Sequence, residues 1–209
     1  MCGISGMMSS GREAPAPGPV EAMGAALAHR GPDGTRAYRA GNVAMTHNRL
    51  AIVDLETGDQ PLSEPEGAAL VANGEIYNDP ELRAALPGAR FATRSDCEPP
   101  LFLYRRDGAA FADSLRGMWA IALHDPRAGR LLLSRDPFGI KPLYYVERAE
   151  GVAFASEPQA LLAGGLARRD LDPVALGELL ELQFTTRRET IFADVRRVLP
   201  GETVTVSPG

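Results

Sequence analysis

Short apolar runs separated by turn-rich segments recur along this chain, and they predict many strands and fewer helices. The first run, residues 2–8, contains two glycines and leads into a Ser-, Gly- and Pro-rich loop that extends to residue 18. From residue 36 to residue 78 the apolar runs are short and flanked by polar turns, which is typical of a sheet. The runs that predict strands are 2–8, 43–45, 50–53, 68–72, 76–77, 118–124, 131–135, 143–146, 152–155 and 203–206.

Apolar residues at the spacing of one helix face occur in fewer places. Val20, Met23 and Leu27 predict a helix that begins at Pro19 and ends near residue 29. An Asp followed by Pro supplies an N-cap and a first residue for helices at 79–86 and at 173–182. Ser95-Asp96 offers a cap for a helix that runs to residue 104, and a further helix is predicted at 157–162.

The order of these elements indicates the fold class. Residues 125–129 predict a hairpin loop, and residues 198–206 predict a final hairpin. Strands that come in runs, with helices grouped between them, favour a layered α+β domain over a parallel α/β sheet. Because no repeat and no proline- or glycine-rich linker divides the sequence, we expect one domain over residues 1–209.

Composition excludes several classes of function. The net charge of −5, from 22 basic and 27 acidic residues, argues against binding to nucleic acid or to an anionic membrane. Cys2 and Cys97 make no disulfide framework, and the three histidines share no ligand spacing, so no metal site is expected. No apolar run could span a bilayer and no signal-peptide pattern opens the chain, so we expect a reducing cytoplasm.

Cys2 is the first candidate for chemistry. Small second residues permit removal of the initiator methionine, so the mature chain should begin with Cys2. A free α-amine titrates near ~8 and a free thiol near ~8.5, which would place a nucleophile and its base on one residue. Gly3 would let the backbone pass close to a ligand. The alternative is a buried apolar cysteine with no chemical role.

Arg49 precedes the predicted strand at 50–53. A guanidinium in that place can bind a carboxylate through two parallel hydrogen bonds. The alternative is an ordinary surface arginine at a strand end.

Asn73-Gly74-Glu75 lies between two apolar runs, where Asn-Gly is the commonest signal for a hairpin turn. In the functional interpretation, the Asn73 amide and the Gly74 backbone N–H form an oxyanion hole. Glu75 is then free to accept a hydrogen bond from a ligand ammonium.

Two further segments leave alternatives open. Asp96 either caps the helix that follows or pairs with Glu75 as a second acceptor for an α-ammonium. Residues 136–145 are dense in turn formers and aromatics, and we interpret them as a structural corner. Lys141 is the residue there that could face a ligand, although the structural role is the one we favour. Together, the candidates suit an L-amino acid that carries a side-chain amide.

Six ordered motifs carry a resemblance to a known family. They are residues 1–4 (MCGI), 30–34 (RGPDG), 49–54 (RLAIVD), 73–78 (NGEIYN), 95–98 (SDCE) and 134–145 (SRDPFGIKPLYY). With them the chain resembles the class II glutamine amidotransferase domain of the asparagine synthetase family, an N-terminal-nucleophile hydrolase. The resemblance implies an αββα sandwich of two antiparallel sheets flanked by helices. It also implies a glutamine pocket that includes Cys2, Arg49, Asn73, Gly74, Glu75, Asp96 and the backbone of Leu50, Ile52 and Val53.

The same resemblance sets the expected reaction and its partners. We expect hydrolysis of L-glutamine to L-glutamate and ammonia, with the ammonia delivered to a synthetase domain or subunit. The Ser-Gly-Gly-x-Asp-Ser motif of the ATP-binding half is absent from this sequence, so ATP and Mg²⁺ are expected only in that partner and no cofactor in this domain. Cys97 and Pro99-Pro100 depart from the usual family pattern around Asp96. The alternatives are a glutaminase that serves a sugar, peptide or antibiotic-forming acceptor, and a non-catalytic regulatory module.

Overall fold

The computed structural model describes residues 1–207, in which short strands alternate with short helices. The strands are β1 (Gly3–Ser9), β2 (Gly34–Ala40), β3 (Val43–Arg49), β4 (Leu62–Ser63), β5 (Ala69–Ile76), β6 (Gly117–Asp125), β7 (Arg130–Arg135), β8 (Tyr144–Arg148), β9 (Gly151–Ala155), β10 (Arg196–Arg197) and β11 (Thr203–Val206). The α-helices are α1 (Pro17–Ala26), α2 (Asp79–Ala84), α3 (Pro99–Asp107), α4 (Pro158–Ala163) and α5 (Pro173–Leu182), and 3₁₀ helices cover Ala28–Arg30 and Gly108–Ser114. The expected domain extends to residue 209, so its last two residues lie outside the described part.

The strands form two antiparallel sheets. The first sheet has the order β10-β8-β9-β1-β3-β2, and the second has the order β11-β7-β6-β5-β4. One apolar cluster lies between the sheets, with residues from β1 and β3 on one side and from β5, β6 and β7 on the other. Of the other two clusters, one lies under α1 and α4 against the first sheet and the other lies under α3 against the second. The predicted α+β class and its αββα layering are therefore confirmed. No helix in the described range is long and apolar enough to cross a membrane.

Alternation along the strands explains this layering. On β1, Ile4 and Met8 pack between the sheets, whereas Met7 packs under the helices on the outer face. On β5, Val71 points inward and Leu70 points outward. Strands such as β1 and β5 have apolar side chains on both faces because each sheet is covered on both sides there, which is why the sequence shows continuous apolar runs.

The predicted strand at 50–53 is wrong. β3 ends at Arg49, and the next four residues form a loop. The Ala51 N–H donates to Asp33 Oδ2 at 2.8 Å, and the Ile52 side chain is 64% exposed. This apolar run therefore lies on the surface of a loop rather than in a strand of a sheet.

The predicted final hairpin is also wrong, although its last strand exists. β11 pairs with β7 in the second sheet, while β10 pairs with β8 in the first. Several helix ends shift by a few residues: α1 begins at Pro17 and α2 ends at Ala84. Asp79 is the first residue of α2 rather than its N-cap. The Asp172 cap is confirmed, since its carboxylate accepts hydrogen bonds from two backbone N–H groups at the start of α5.

Candidate active site

A pocket opens between the two sheets at the end where β1 begins and β3 and β5 end. Ile4 packs between the sheets, so Cys2, two residues earlier, points to the same side. Met45 packs there too, and Arg49 lies on the same face of β3. The antiparallel register of β1 with β3 places Cys2 and Arg49 beside each other.

The opposite wall comes from the second sheet. Val71 packs between the sheets, so Asn73 and Glu75 continue that row toward the end of β5. Gly74 lies between them and faces the other way, where a Cβ atom would come within 2.8 Å of the Met118 carbonyl oxygen. The pairing of β5 with β6 therefore requires glycine at this position.

All the predicted site residues line this one pocket, although they come from four separate parts of the chain. They are Cys2, Arg49, Leu50, Ile52, Val53, Asn73, Gly74, Glu75 and Asp96. Asn73-Gly74 is not a hairpin turn but lies within β5, because the apolar runs on either side belong to one strand that pairs with β6.

The Cys2 sulfur is held by the backbone of the loop that follows β3. The Leu50 N–H donates to Cys2 Sγ at 3.3 Å, and Sγ lies 3.6 Å from the Leu50 carbonyl oxygen. Arg30 Nε donates to the Cys2 carbonyl oxygen at 3.0 Å, and an ion pair with Glu157 at 2.6 Å fixes the Arg30 guanidinium. Met1 is present and also lines the pocket.

Gly3 serves a different purpose from the one its position suggests. A Cβ atom at residue 3 would lie 3.0 Å from Leu27 Cβ, at the end of α1, and so on the outer face of the sheet. The expectation that Gly3 makes room for a ligand is therefore wrong, and the residue allows the helix to pack closely on β1.

Arg49 is largely covered at the end of β3, with its side chain only 11% exposed, so the interpretation as a surface arginine is wrong. Its Nη1 donates to Asp59 Oδ1 at 2.7 Å, and its Nη2 donates to the Asp54 carbonyl oxygen at 2.5 Å. These two bonds fix the plane of the guanidinium and leave other N–H groups for a ligand carboxylate.

The loop at 50–58 closes one side of the pocket and is tied to the wall across from it. Asp54 Oδ2 accepts a hydrogen bond from the Arg94 N–H at 2.8 Å, two residues before Asp96. Hydrogen bonds of Asp54 with Thr57 lower the pKa of the Asp54 carboxyl, opposed by partial desolvation. The charged form of Asp54 thus holds together the two segments that present Leu50 and Asp96.

Asn73 contributes an amide group that is ready for a ligand. The residue is 2% exposed, and its Nδ2 has no hydrogen-bond partner within the described part of the chain. A buried donor without a partner costs about 1–3 kcal/mol. Such a cost is acceptable where a ligand or a reaction intermediate accepts the bond.

Asp96 does not cap α3. Glu98 precedes the first helical residue, Pro99, and Asp96 Oδ2 instead accepts a hydrogen bond from the Ile76 N–H at 2.5 Å. Burial raises the pKa of the Asp96 carboxyl, and the nearby Glu75 carboxylate adds to that increase. Two carboxylates that repel each other in an empty pocket form an attractive site for a single ammonium group.

This arrangement predicts that Asp96→Asn stabilises the empty protein. Because the folded-state pKa is raised, the charged form is disfavoured by folding, and stability falls as pH rises through that pKa. The Asn side chain keeps an acceptor for the Ile76 N–H but carries no charge. We expect Tm at pH 7 to rise by about 2–4 °C, the shift that 1 kcal/mol produces in a domain of this size.

Thermal unfolding at pH 7 and at pH 3.5 measures this effect. The gain should shrink at the lower pH, because protonation of Asp96 in the folded parent chain removes most of its unfavourable charge. A variant that is no more stable than its parent at pH 7 would contradict the electrostatic account of Asp96.

His47 also lines the pocket, although no local motif marks it as a candidate site residue. Because side chains alternate along a strand, His47 lies on the same face of β3 as Arg49, two residues later. This alternation is the signal in the sequence that could have identified it. Burial lowers the pKa of His47 to about 4, so the imidazole is neutral at pH 7. Its Nε2 has no partner among residues 1–207.

Lys141 and Cys97 also line the pocket. The predicted corner exists, and Lys141 within it lines the pocket with Cys2, which agrees with the ligand-facing alternative rather than with a purely structural role. Burial raises the pKa of the Cys97 thiol well above its usual range, which keeps this second sulfur protonated. Cys97 is therefore an unreactive neighbour of Cys2.

Comparison with known proteins gives matches over nearly the whole chain. The family model described as "Glutamine amidotransferase domain" matches residues 1–209. "Asparagine synthetase [glutamine-hydrolyzing] 1" of Bacillus subtilis (strain 168) is 40% identical over 194 residues, which are 90% of this chain and 30% of that protein. A probable asparagine synthetase [glutamine-hydrolyzing] of Dictyostelium discoideum is 41% identical over 77% of this chain and 30% of its own length. The chain thus spans less than a third of these relatives.

Solved structures share the fold at lower sequence identity. A glutamine phosphoribosylpyrophosphate (PRPP) amidotransferase from B. subtilis, complexed with ADP and GMP, superposes with a TM-score of 0.72. It is 22% identical, and the match covers 98% of this chain and 47% of that one. A second structure, described as the allosteric regulatory enzyme of purine biosynthesis, gives a TM-score of 0.71 at 22% identity, covering 98% of this chain and 46% of that one. At such identity the likeness concerns the fold alone.

Proposed function

Since this chain belongs to the glutamine amidotransferase domain family, we propose that it hydrolyses L-glutamine to L-glutamate and ammonia, with Cys2 as the nucleophile. The observation that carries the proposal is the joining of Cys2, Arg49, Asn73 and Asp96 in one pocket between two sheets. The free amide of Asn73 adds to it, because a donor without a partner suits a reaction that creates an oxyanion.

Charged side chains orient the bound glutamine through its α-carboxylate and α-ammonium groups. Arg49 pairs with the α-carboxylate, and Glu75 and Asp96 accept hydrogen bonds from the α-ammonium. The backbone of Leu50, Ile52 and Val53 lines the same side. With both α-groups held, the side-chain amide extends toward the sulfur of Cys2.

The first half of the reaction forms a thioester. Removal of Met1 frees the Cys2 α-amine, which takes the thiol proton directly or through one water. Sγ attacks the amide carbon, and the electron pair of the C=O bond moves onto oxygen, where Asn73 and the Gly74 N–H stabilise the charge. The amine returns the proton to the amide nitrogen, the C–N bond breaks, and ammonia leaves.

The second half regenerates the enzyme. Water gives a proton to the Cys2 amine and attacks the γ-glutamyl thioester, which creates a second oxyanion in the same place. The C–S bond then breaks, the sulfur recovers a proton, and glutamate leaves. Every proton in this cycle is carried by Cys2 or by water, so the proposal assigns no cofactor to this domain.

We further propose that the ammonia passes to a synthetase domain or subunit that makes asparagine from aspartate and ATP. The support is about 40% identity to proteins named glutamine-hydrolysing asparagine synthetases. ATP and Mg²⁺ would bind only to that partner. The reactive thiol fits work in the reducing cytoplasm.

Glutamate release by the purified chain, after mass spectrometry has shown loss of Met1, tests the first proposal. Turnover that depends on glutamine is the expected result, and no turnover by a folded, processed chain would contradict it. Adding a separately produced synthetase partner with aspartate and ATP tests the second proposal, for which asparagine should appear.

Asn73→Ala should lower kcat by about 10²–10³, the usual effect of removing one oxyanion-hole donor. KM should change little, because the amide contacts an atom that becomes charged only in the transition state. Thermal stability should change little, since the removed donor has no partner among the residues that the structure describes. Steady-state kinetics and a melting curve check these points. An equal rise in KM with kcat unchanged would assign Asn73 to ground-state binding instead.

A further inference from the structure

Lys141 brings a cationic side chain to the pocket, for which the proposed reaction has no use so far. The residue is 6% exposed, lines the pocket with Cys2 and Asn73, and has no carboxylate within 4 Å in the described part of the chain. An ammonium group in a confined pocket attracts an anion, because water screens its charge less there than in bulk solvent. The question is therefore which anion the pocket supplies.

The backbone around Lys141 is fixed by neighbouring groups. The Lys141 N–H donates to Asp136 Oδ2 at 3.0 Å, and its carbonyl oxygen accepts from Arg135 Nε at 2.9 Å. Asp136 is fully buried and also accepts from the N–H groups of Phe138 and Ile140, both at 3.0 Å. Because these backbone donors satisfy the Asp136 carboxylate, it does not act as the counter-ion of the Lys141 side chain.

Strand order places Lys141 on the side of the pocket opposite to Arg49. The segment that carries Lys141 joins β7 of the second sheet to β8 of the first, and β8 is separated from β1 by β9. β3, which carries Arg49, lies on the other side of β1. Cys2 therefore lies between the two cations. A glutamine whose α-carboxylate is at Arg49 directs its amide toward Cys2 and toward Lys141 beyond it.

Resting on the proposed glutaminase function, we propose that the Lys141 ammonium stabilises the negative charge that forms on Cys2 Sγ and on the tetrahedral oxyanion. In the proposed binding mode Arg49 holds the α-carboxylate, and Glu75 and Asp96 face the ligand ammonium. Lys141 is therefore the cationic side chain available to the Cys2 sulfur and the side-chain amide of the substrate. It adds a full positive charge to the neutral donors of Asn73 and Gly74.

A matched set of variants separates charge from shape. Lys141→Met keeps the length of the side chain and removes the charge, Lys141→Arg keeps the charge, and Lys141→Gln is a polar neutral replacement in case the Met variant does not fold. All are prepared without Met1, and mass spectrometry checks this. Circular dichroism and Tm confirm folding before any rate is compared.

Alkylation of Cys2 by iodoacetamide as a function of pH reports the thiolate directly and requires no glutamine. Removing a nearby positive charge disfavours the thiolate and moves such a profile to higher pH. We expect Lys141→Met and Lys141→Gln to react at least about tenfold more slowly at pH 7, with profiles moved to higher pH, and Lys141→Arg to resemble the parent. The other titratable groups that line the pocket, His47, Arg49, Glu75, Asp96 and Cys97, are unchanged throughout the set.

Glutamate release supplies the second readout. We expect kcat of the neutral variants to fall about 10–10²-fold with KM within threefold, and Lys141→Arg to recover most of the rate. Parental alkylation profiles in the neutral variants, or a rise in KM with kcat unchanged, would overturn the assignment. If the parent chain releases no glutamate, the proposed function fails, but the alkylation series still tests whether Lys141 acts on the sulfur.

Discussion

Cys2→Ala abolishes glutamate release, with an expected loss of about 10⁴-fold or more, the scale seen when a catalytic nucleophile is removed. No other group in the pocket can replace the sulfur. The only other thiol in the chain is Cys97, which is buried, and burial raises its pKa well above the usual range. Glutamine binding should survive in this variant, because Arg49 and Asp96 are intact.

Cys97→Ala is the matched control, since it removes the other pocket thiol and leaves Cys2 in place. It should retain most of the parental rate. Steady-state glutamate release and isothermal titration with glutamine measure the two effects separately. Turnover by Cys2→Ala at more than a trace level would show that the nucleophile has been wrongly assigned.

A chain that keeps Met1 should be as inactive as Cys2→Ala, although every predicted site residue is present. With Met1 attached, the Cys2 nitrogen is an amide and cannot accept the thiol proton. Met1 also lines the pocket that the substrate must enter. Insertion of a bulky residue such as lysine between Met1 and Cys2 should block processing and so produce this form.

Release of Cys2 from a cleavable N-terminal fusion provides the control for that experiment. The released chain should have full activity, whereas the extended chain should have none, and mass spectrometry assigns the terminus of each sample. Equal activity in both forms would exclude the α-amine as the base.

Two features of the pocket cost stability in the empty protein. Asn73 has a buried donor without a partner in the described part of the chain, and burial together with Glu75 raises the pKa of Asp96. Each loses its penalty when a zwitterionic amide substrate binds or an oxyanion forms. Local violations of the rules for burying polar groups therefore concentrate where the proposed chemistry takes place.

The sequence alone was sufficient for the fold class and for the residues most directly involved in the proposed chemistry. Most strands and helices follow from local signals, since apolar runs and capping residues act over a few positions. Cys2, Arg49 and Asn73 stand in short motifs whose order along the chain identifies the family. These features depend on neighbours in sequence, and that is why they can be recognised without coordinates.

Tertiary structure decided what depends on contacts between distant segments. Residues 50–53 have the composition of a strand, but their backbone is bound by Cys2 Sγ and Asp33 instead of a neighbouring strand. Asp96 has the sequence position of a cap, yet its carboxylate bonds to the end of β5. Lys141 enters the pocket because the corner crosses from one sheet to the other. Local sequence cannot specify these outcomes, because each partner is brought into place only when the two sheets pack together.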